Sequence, residues 1–389
     1  MSVMDRTPTR DFTLYGSHND DPFEWLLKVR ETDPFWSQPH PYSGADGVWV
    51  ITRYDHVREV HQDYRTFTHT DSITTTNNQP LMPSAFDPPY QTKLRSIVLP
   101  LMTPKRIDPL EPRMHAVCRD LIAGFKDRGW CDGIGEFARR YPIVVFCELF
   151  GLPEERREEF RILAETWMHN VPERANAWSA IRAIVRSELE KRREQPSEDM
   201  LGGIASGLID GELIDLDSAT NLASTVFLGG LDTLPSNIGW TLRYLADHPE
   251  QRRQIIEDPS SLPGAVEEFF RRFPAVSMNP SKATRDIDFH GAKIKAGDQI
   301  MSVIFLANCD SEVFDDPLTL DFSRQSNKHL AFAAGSHRCL GSHLARHELR
   351  VGLEEWHAAI PDYRVADRDE ITYYPGVAGM HRLRLEWDV

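Results

Sequence analysis

Residues 332–341, from Phe332 to Gly341, read FAAGSHRCLG and set a single cysteine, Cys339, between two glycines and directly after a histidine and an arginine. Five fates are open to such a residue: core packing, half of a disulfide, a zinc ligand, a nucleophile, or a thiolate bound to a metal already held by other ligands. Burial as a small apolar side chain is the commonest of these. The loop argues for more. Cationic neighbours and a helix N-terminus just downstream both lower a thiol pKa and stabilise the thiolate. A nucleophile would want a general base, and His337 stands too close in sequence to serve as a clear one. The five cysteines (Cys118, Cys131, Cys147, Cys309, Cys339) are odd in number and scattered, with no CxxC or His/Cys cluster. That pattern speaks against zinc, and it fits a reducing compartment in which disulfides rarely persist.

Composition sets wide bounds. A chain of 389 residues suggests two ordinary domains or one large one. It is long enough to bury roughly three quarters of its unfolded surface. Hydrophobic residues at 41% and charged residues at 26% are globular values, so wholesale disorder is not expected. A net charge of −15 argues against a nucleic-acid binder. The N-terminal stretch has no apolar core of a signal peptide, and no run of about 18 apolar residues occurs. A soluble, cytoplasmic protein without a membrane segment is the expectation.

Periodicity places the elements. Residues 47–63, GVWVITRYDHVREVHQD, predict a short strand running into an amphipathic helix. The turn-rich segment 68–89 is too long for a routine connector, and such loops are often functional. Residues 90–151 have helical spacing throughout, and 153–196 read as two helices split around Pro172. A long helix is predicted over about 217–247 and another over about 263–273. Alternation with glycine turns predicts strands across 283–308, and a last helix follows Cys339. The chain is expected to be mainly α with small β-sheets (α+β), as one domain over residues 1–389 with a partly irregular lead-in at 1–46.

Two further stretches break local rules. In TVFLGGLDTLPSN (225–237), adjacent glycines cost about 1 kcal/mol each in a helix interior, and Pro235 removes a backbone donor. Violations crowded into mid-helix tend to mark functional sites, although a helix crossing that needs small residues would look the same. In AVEEFFRRFP (265–274), Glu268 and Arg271 stand three apart and can pair on one helix face. Alone, that spacing is a weak signal. For Cys339, a haem iron fits the metal reading, because its four equatorial ligands come from the porphyrin.

The order G-G-x-D-T, then E-x-x-R, then F-x-x-G-x-H-x-C-x-G resembles the cytochrome P450 family of haem-thiolate monooxygenases, from about Gly47 to the C-terminus. GGLDT, DFSRQ and the LEWD ending are closest to the soluble bacterial branch that includes camphor hydroxylases. The resemblance implies the triangular-prism fold, with haem b held between the long kinked helix and the Cys-loop helix. It assigns Cys339 as axial ligand, and Phe332, Gly335, His337, Gly341 and Ala345 as haem neighbours. Gln91 and Arg95, in DPPYQTKLRS, would meet a haem propionate, while Gly229 and Gly230 would open a groove for dioxygen. Asp232 and Thr233 would deliver protons during dioxygen activation. Arg324 would join Glu268 and Arg271 in a buried network.

Many relatives carry an arginine just before the AT of NPSKAT, as a further propionate partner. Here Ser281 takes that position, and Lys282 beside it is the expected substitute, without the arginine fork. No fused flavin or iron–sulfur module is expected. Electrons would come from NAD(P)H through a reductase and a [2Fe–2S] ferredoxin, docking on a basic face drawn from Arg58, Arg95, Lys328, Arg338 and Arg346. The substrate-pocket candidates are Ile73, Gln79, Met82, Trp167, Leu228, Val276, Val377 and Ala378. Being mainly apolar, they favour a small hydrophobic substrate such as a terpenoid. A peroxide-driven haem enzyme and a non-catalytic haem gas sensor or carrier are the competing expectations. Neither calls for the Asp232–Thr233 pair.

Overall fold

Among the described residues the strands are short, and the largest sheet draws on the N-terminal stretch and on 279–302, with smaller sheets elsewhere among the helices. The computed structural model describes residues 20–28, 34–37, 47–70, 72, 75–76, 79–368, 370–374 and 377–389. They fall into two compact units interleaved along the chain. One comprises the described residues within 1–92, 268–339 and 373–378; the other comprises those within 93–267, 340–372 and 379–389.

The first unit is built on a five-stranded sheet in the order Phe35–Ser37, Val48–Ile51, Gln299–Ser302, Asn279–Ala283, Phe67–Thr68. Val48–Ile51 is buried throughout and is an interior strand, antiparallel to Phe35–Ser37 and parallel to Gln299–Ser302. Trp36, Trp49, Ile51, Val57, Phe67, Ile294, Ile300 and Phe314 form its core. The Trp49 indole N–H satisfies itself on Asp298 at 3.0 Å, as a buried ring nitrogen must. The helix Tyr54–Gln62 buries Tyr54, Val57 and Val60, the stripe expected of an amphipathic helix.

The second unit is helical. Ser342–Ala359 packs along Glu111–Ala123. Trp356 is buried between them and the three-stranded sheet of Arg364–Val365, Arg384–Glu386 and Trp130–Asp132, touching the rings of Phe125, Phe137 and Trp387. Arg157–His169 and Arg174–Glu194 are the two helices expected around Pro172, with a short 3-10 turn at Val171–Glu173.

Three elements differ from the sequence expectation. Helical spacing over 90–151 is interrupted by the strand Trp130–Asp132 and a π-turn at Gly133–Ala138. Gly129 takes φ +75° to turn the chain, Gly133 N–H bonds to Leu383 O at 2.8 Å, and Asp132 caps Ile134. Ile304–Asn308 is a helical turn, although the alternation over 283–308 predicted strand. The long predicted helix is two, Leu216–Leu231 and Thr233–Asp247, broken at Asp232. No helix among the described residues is long and apolar enough to cross a membrane.

Candidate active site

The Cys loop is set by backbone geometry. Ala333 and Gly335 both have positive φ, at 56° and 67°, and Cys339 N–H returns to Phe332 O at 2.8 Å, closing a hairpin. A Cβ on Gly335 would lie 2.3 Å from the His61 carbonyl, so only glycine lets this loop sit on the end of Tyr54–Gln62. Gln91, fully buried, donates from Nε2 to Ser336 O at 2.6 Å. Its amide therefore holds the loop through one of its two N–H donors. Phe332 packs on Phe270 with centroids 4.8 Å apart. Of the five cysteines none is in a disulfide; four are buried and Cys339 is exposed.

Beneath the loop lies a cluster that sequence reasoning missed. His69 stacks obliquely on His337 at 4.0 Å, and His61 is buried beside them. Burial, reinforced by the neighbouring imidazoles, lowers the pKa of His61 to about 4 and of His69 to about 3. Asp87 anchors the group, taking Thr68 Oγ1 and the His69 N–H, with His337 Nε2 at 3.8 Å. Burial pushes the Asp87 pKa up, but His337, Thr68 and His69 outweigh it and leave it lowered. The signal for this cluster was the missing arginine at 281. Strand alternation in Asn279–Ala283 buries Ser281 and turns Lys282 to the opposite face. Lys282, expected to replace that arginine, is half-buried on the face opposite Ser281.

Glu268 and Arg271 are fully buried and bidentate, Nε–Oε1 at 2.7 Å and Nη2–Oε2 at 2.8 Å. Arg324 adds Nε–Oε1 at 3.0 Å and Asn327 Nδ2–Oε1 at 2.9 Å. Arg271 spends its remaining donors on the carbonyls of Asn308, Pro317 and Thr319. A buried pair is tolerable only when satisfied in this way. It fixes the 308–327 segment that leads to the Cys loop.

In the second unit, the break at Asp232 follows from chemistry. Pro235 has no N–H to offer the Leu231 carbonyl, and two glycines precede it. Asp232 is buried and borders a narrow cleft with Arg139, Ile143, Arg161, Ala164 and Glu165. Thr233 Oγ1 donates to Gly229 O at 3.3 Å across the break. The two glycines differ. A Cβ on Gly229 would meet no protein atom within 4 Å, whereas one on Gly230 would lie 2.4 Å from the Phe146 ring. Gly230 therefore serves a close helix crossing.

Of the other expected positions, Val276 is 38% exposed and bridges Val377. Ala378 is buried and its N–H bonds to Ala275 O at 2.8 Å. Leu228 is buried, Met82 is half-buried, and Trp167 packs toward Trp178 at 6.1 Å. Ile73 and the Gln79 side chain lie outside the described residues. Lys328 and Arg338 are exposed and Arg95 half-buried. Arg58 pairs with Asp55 at 3.0 Å. Arg346 is held bidentate by Glu267, at 2.5 and 2.9 Å. Gly341 caps Ser342–Ala359, its carbonyl taking the Ala345 N–H at 2.9 Å.

The residues of the first unit fit a haem. His337 Nε2 and both ring nitrogens of His61 are buried without a hydrogen-bond partner among the described residues. An orphaned buried N–H, of which a neutral imidazole has one, carries a cost of about 1–3 kcal/mol unless a ligand acceptor such as a propionate meets it. Cys339, a soft thiol at the tip of the loop, is a suitable donor for iron.

Comparison with known proteins follows the same line. The family model described as Cytochrome P450 matches residues 160–356. The probable cytochrome P450 127A1 of Sinorhizobium fredii is 32% identical over 392 residues, covering 97% of this chain and 94% of that protein. The vitamin D(3) 25-hydroxylase of Pseudonocardia autotrophica is 32% identical, covering 90% and 94%. Among solved structures, CYP101J2 superposes with a TM-score of 0.89 at 31% identity, covering 100% of both chains. A mutant of P450 EryK in complex with erythromycin B gives 0.86 at 29%, covering 96% and 98%. Likeness of this extent, in sequence and fold together, places the chain in the cytochrome P450 family, as a haem-dependent oxidoreductase that incorporates oxygen and resembles the bacterial camphor-hydroxylase type.

Proposed function

We propose that this monooxygenase hydroxylates a small hydrophobic, terpenoid-like substrate. It would use haem b ligated by Cys339 and electrons passed from NAD(P)H through a reductase and a [2Fe–2S] ferredoxin. When bound, the haem supplies the reductive activation of dioxygen, and the protein contributes orientation and proton handling. His337, His69 and His61 would hold the propionates in place of the absent arginine at 281. Gln91 keeps the Cys loop in register, and the Glu268–Arg271–Arg324 network fixes the chain that leads into it.

The observation that carries the reading is the broken helix. Thr233 donates its proton to Gly229 O, which leaves its lone pairs to hold a water. Asp232, one residue earlier, supplies a buried carboxyl able to relay protons to that water. A peroxide-driven enzyme or a gas carrier has no use for such a pair. The substrate class rests on apolar candidates, above all Val276, whose exposure leaves apolar surface for a ligand. Relatives named for vitamin D(3), erythromycin C-12 and mycinamicin IV chemistry mark how widely substrates vary at similar identity. Lys328 and Arg338 supply exposed positive charge for an acidic ferredoxin within a chain of net charge −15.

The test is a reconstituted turnover with ferredoxin, reductase and NADH, on terpenoids first chosen by their low-spin to high-spin shift. Thr233→Ala should lower product per NADH several-fold while keeping the red-shifted carbon monoxide Soret band of a thiolate haem. Unchanged yield would remove the proton-handling role. Absence of a spin shift across the terpenoid panel would remove the substrate class.

A further inference from the structure

Outside this site, two imidazoles and a carboxylate converge in the second unit. His343 and His347 stand four apart on Ser342–Ala359 and so share one helix face. His343 Nε2 lies 2.9 Å from Asp108 Oδ1, and His347 Nε2 lies 3.6 Å from the same oxygen. The three donor atoms are all within 4.8 Å of one another, and the two rings are 4.4 Å apart. His347 is oriented from behind. Its Nδ1 sits 3.2 Å from Glu111 Oε2, and Arg350 grips that carboxylate at 2.5 Å while also holding Glu354 at 2.9 Å. The Nδ1–H therefore donates to Glu111, which fixes the tautomer with its lone pair on Nε2, the atom that faces Asp108. Carboxylate–histidine pairs of this kind position metal-ligating imidazoles.

We propose that His343, His347 and Asp108 form a site for a zinc-like transition-metal dication, with Glu111 and Arg350 as positioning residues and water completing the shell. Two imidazole nitrogens and one carboxylate oxygen suit Zn2+, Cu2+ or Ni2+ rather than the oxygen-seeking Mg2+. Without metal, the His343 Nε2–H donates to Asp108; on binding, the imidazole takes up its Nδ1–H tautomer by exchange with solvent, so that Nε2 offers a lone pair to the cation between the two groups. The ion would clip together segments 235 residues apart in the chain, so it should stabilise the fold by mass action. The histidine spacing was visible in SHLARHEL, but the third ligand comes from a distant turn, and a search for CxxC patterns passes over it.

The test uses the haem-loaded full-length protein, stripped with chelator, dialysed and titrated with ZnCl2 by calorimetry, with thermal melts in parallel. One equivalent should bind more tightly than any background, and Zn2+, but not Mg2+, should raise the melting temperature. His343→Ala, His347→Ala and the exposed Asp108→Asn should each weaken that equivalent at least tenfold, with an unchanged Soret spectrum reporting an intact fold. Glu111→Gln, which touches no metal, should weaken it by roughly tenfold. The proposal fails if the double variant His343→Ala/His347→Ala keeps the equivalent and the thermal shift. It fails equally if the parent binds no equivalent more tightly than that double variant.

Discussion

Glu268 accepts five hydrogen bonds, from Arg271 twice, Arg324, Asn327 and the Asp321 N–H. Removing its charge leaves a guanidinium at zero exposure without a counter-charge. Glu268→Gln should therefore cost about 3–5 kcal/mol. Its neighbour Glu267 faces Arg346 in a half-exposed pair, and Glu267→Gln should cost about 1 kcal/mol or less. Urea unfolding of both variants checks this; equal costs would mean that the buried network contributes nothing special. The E-x-x-R spacing made the pairing legible in the sequence, but its burial was not, because burial depends on carbonyls at 308, 317 and 319. The same limit hid the fate of the missing arginine. Ser281 and Lys282 are adjacent as text and opposite in space, and the histidines proposed to hold the propionates come from separate stretches around 61, 69 and 337.

At the scale of elements, the paired glycines of the broken helix differ in what a side chain would meet. Gly229→Ala adds a methyl where no protein atom lies within 4 Å, and alanine is favoured over glycine in a helix by about 1 kcal/mol. That variant should keep or slightly gain stability. Gly230→Ala drives a methyl into Phe146 and should lose about 1–3 kcal/mol. Adding Phe146→Leu should recover part of the loss. Denaturation midpoints of the three proteins decide the matter, and equal effects at the two glycines would sink it. Helix spacing, the strand-to-helix unit at 48–62 and the helix after Cys339 were legible because each buries a regular stripe. The strand at 130–132 was not, because its pairing partner lies at 384–386 and its short run sits inside a helical rhythm.

Across the whole molecule, buried histidines set the acid limit. Burial, aided by the Arg252 charge and opposed by the Leu353 carbonyl, lowers the His357 pKa from 6.5 to about 4; its Nε2 stands 3.2 Å from the Tyr363 hydroxyl. His61 and His69 in the other unit are lowered in the same direction. The unfolded chain takes up the His357 proton near pH 6.5, and the folded chain does so only near pH 4. The stabilisation is therefore complete above 6.5 and is lost as pH falls through that window. Glu348, fully buried with its pKa raised by desolvation, acts the other way: it favours the fold at low pH and loses that contribution as pH rises above its unfolded value of 4.5. A single variant separates the terms. Between about pH 7 and pH 5, His357 alone should account for a loss on the order of 2 kcal/mol. His357→Phe, which keeps the ring packing against Tyr363, should flatten the dependence by that amount while leaving the contributions of His61, His69 and Glu348 in place. Urea midpoints of parent and variant at the two pH values measure it, and parallel losses in both would show that His357 does not carry the effect.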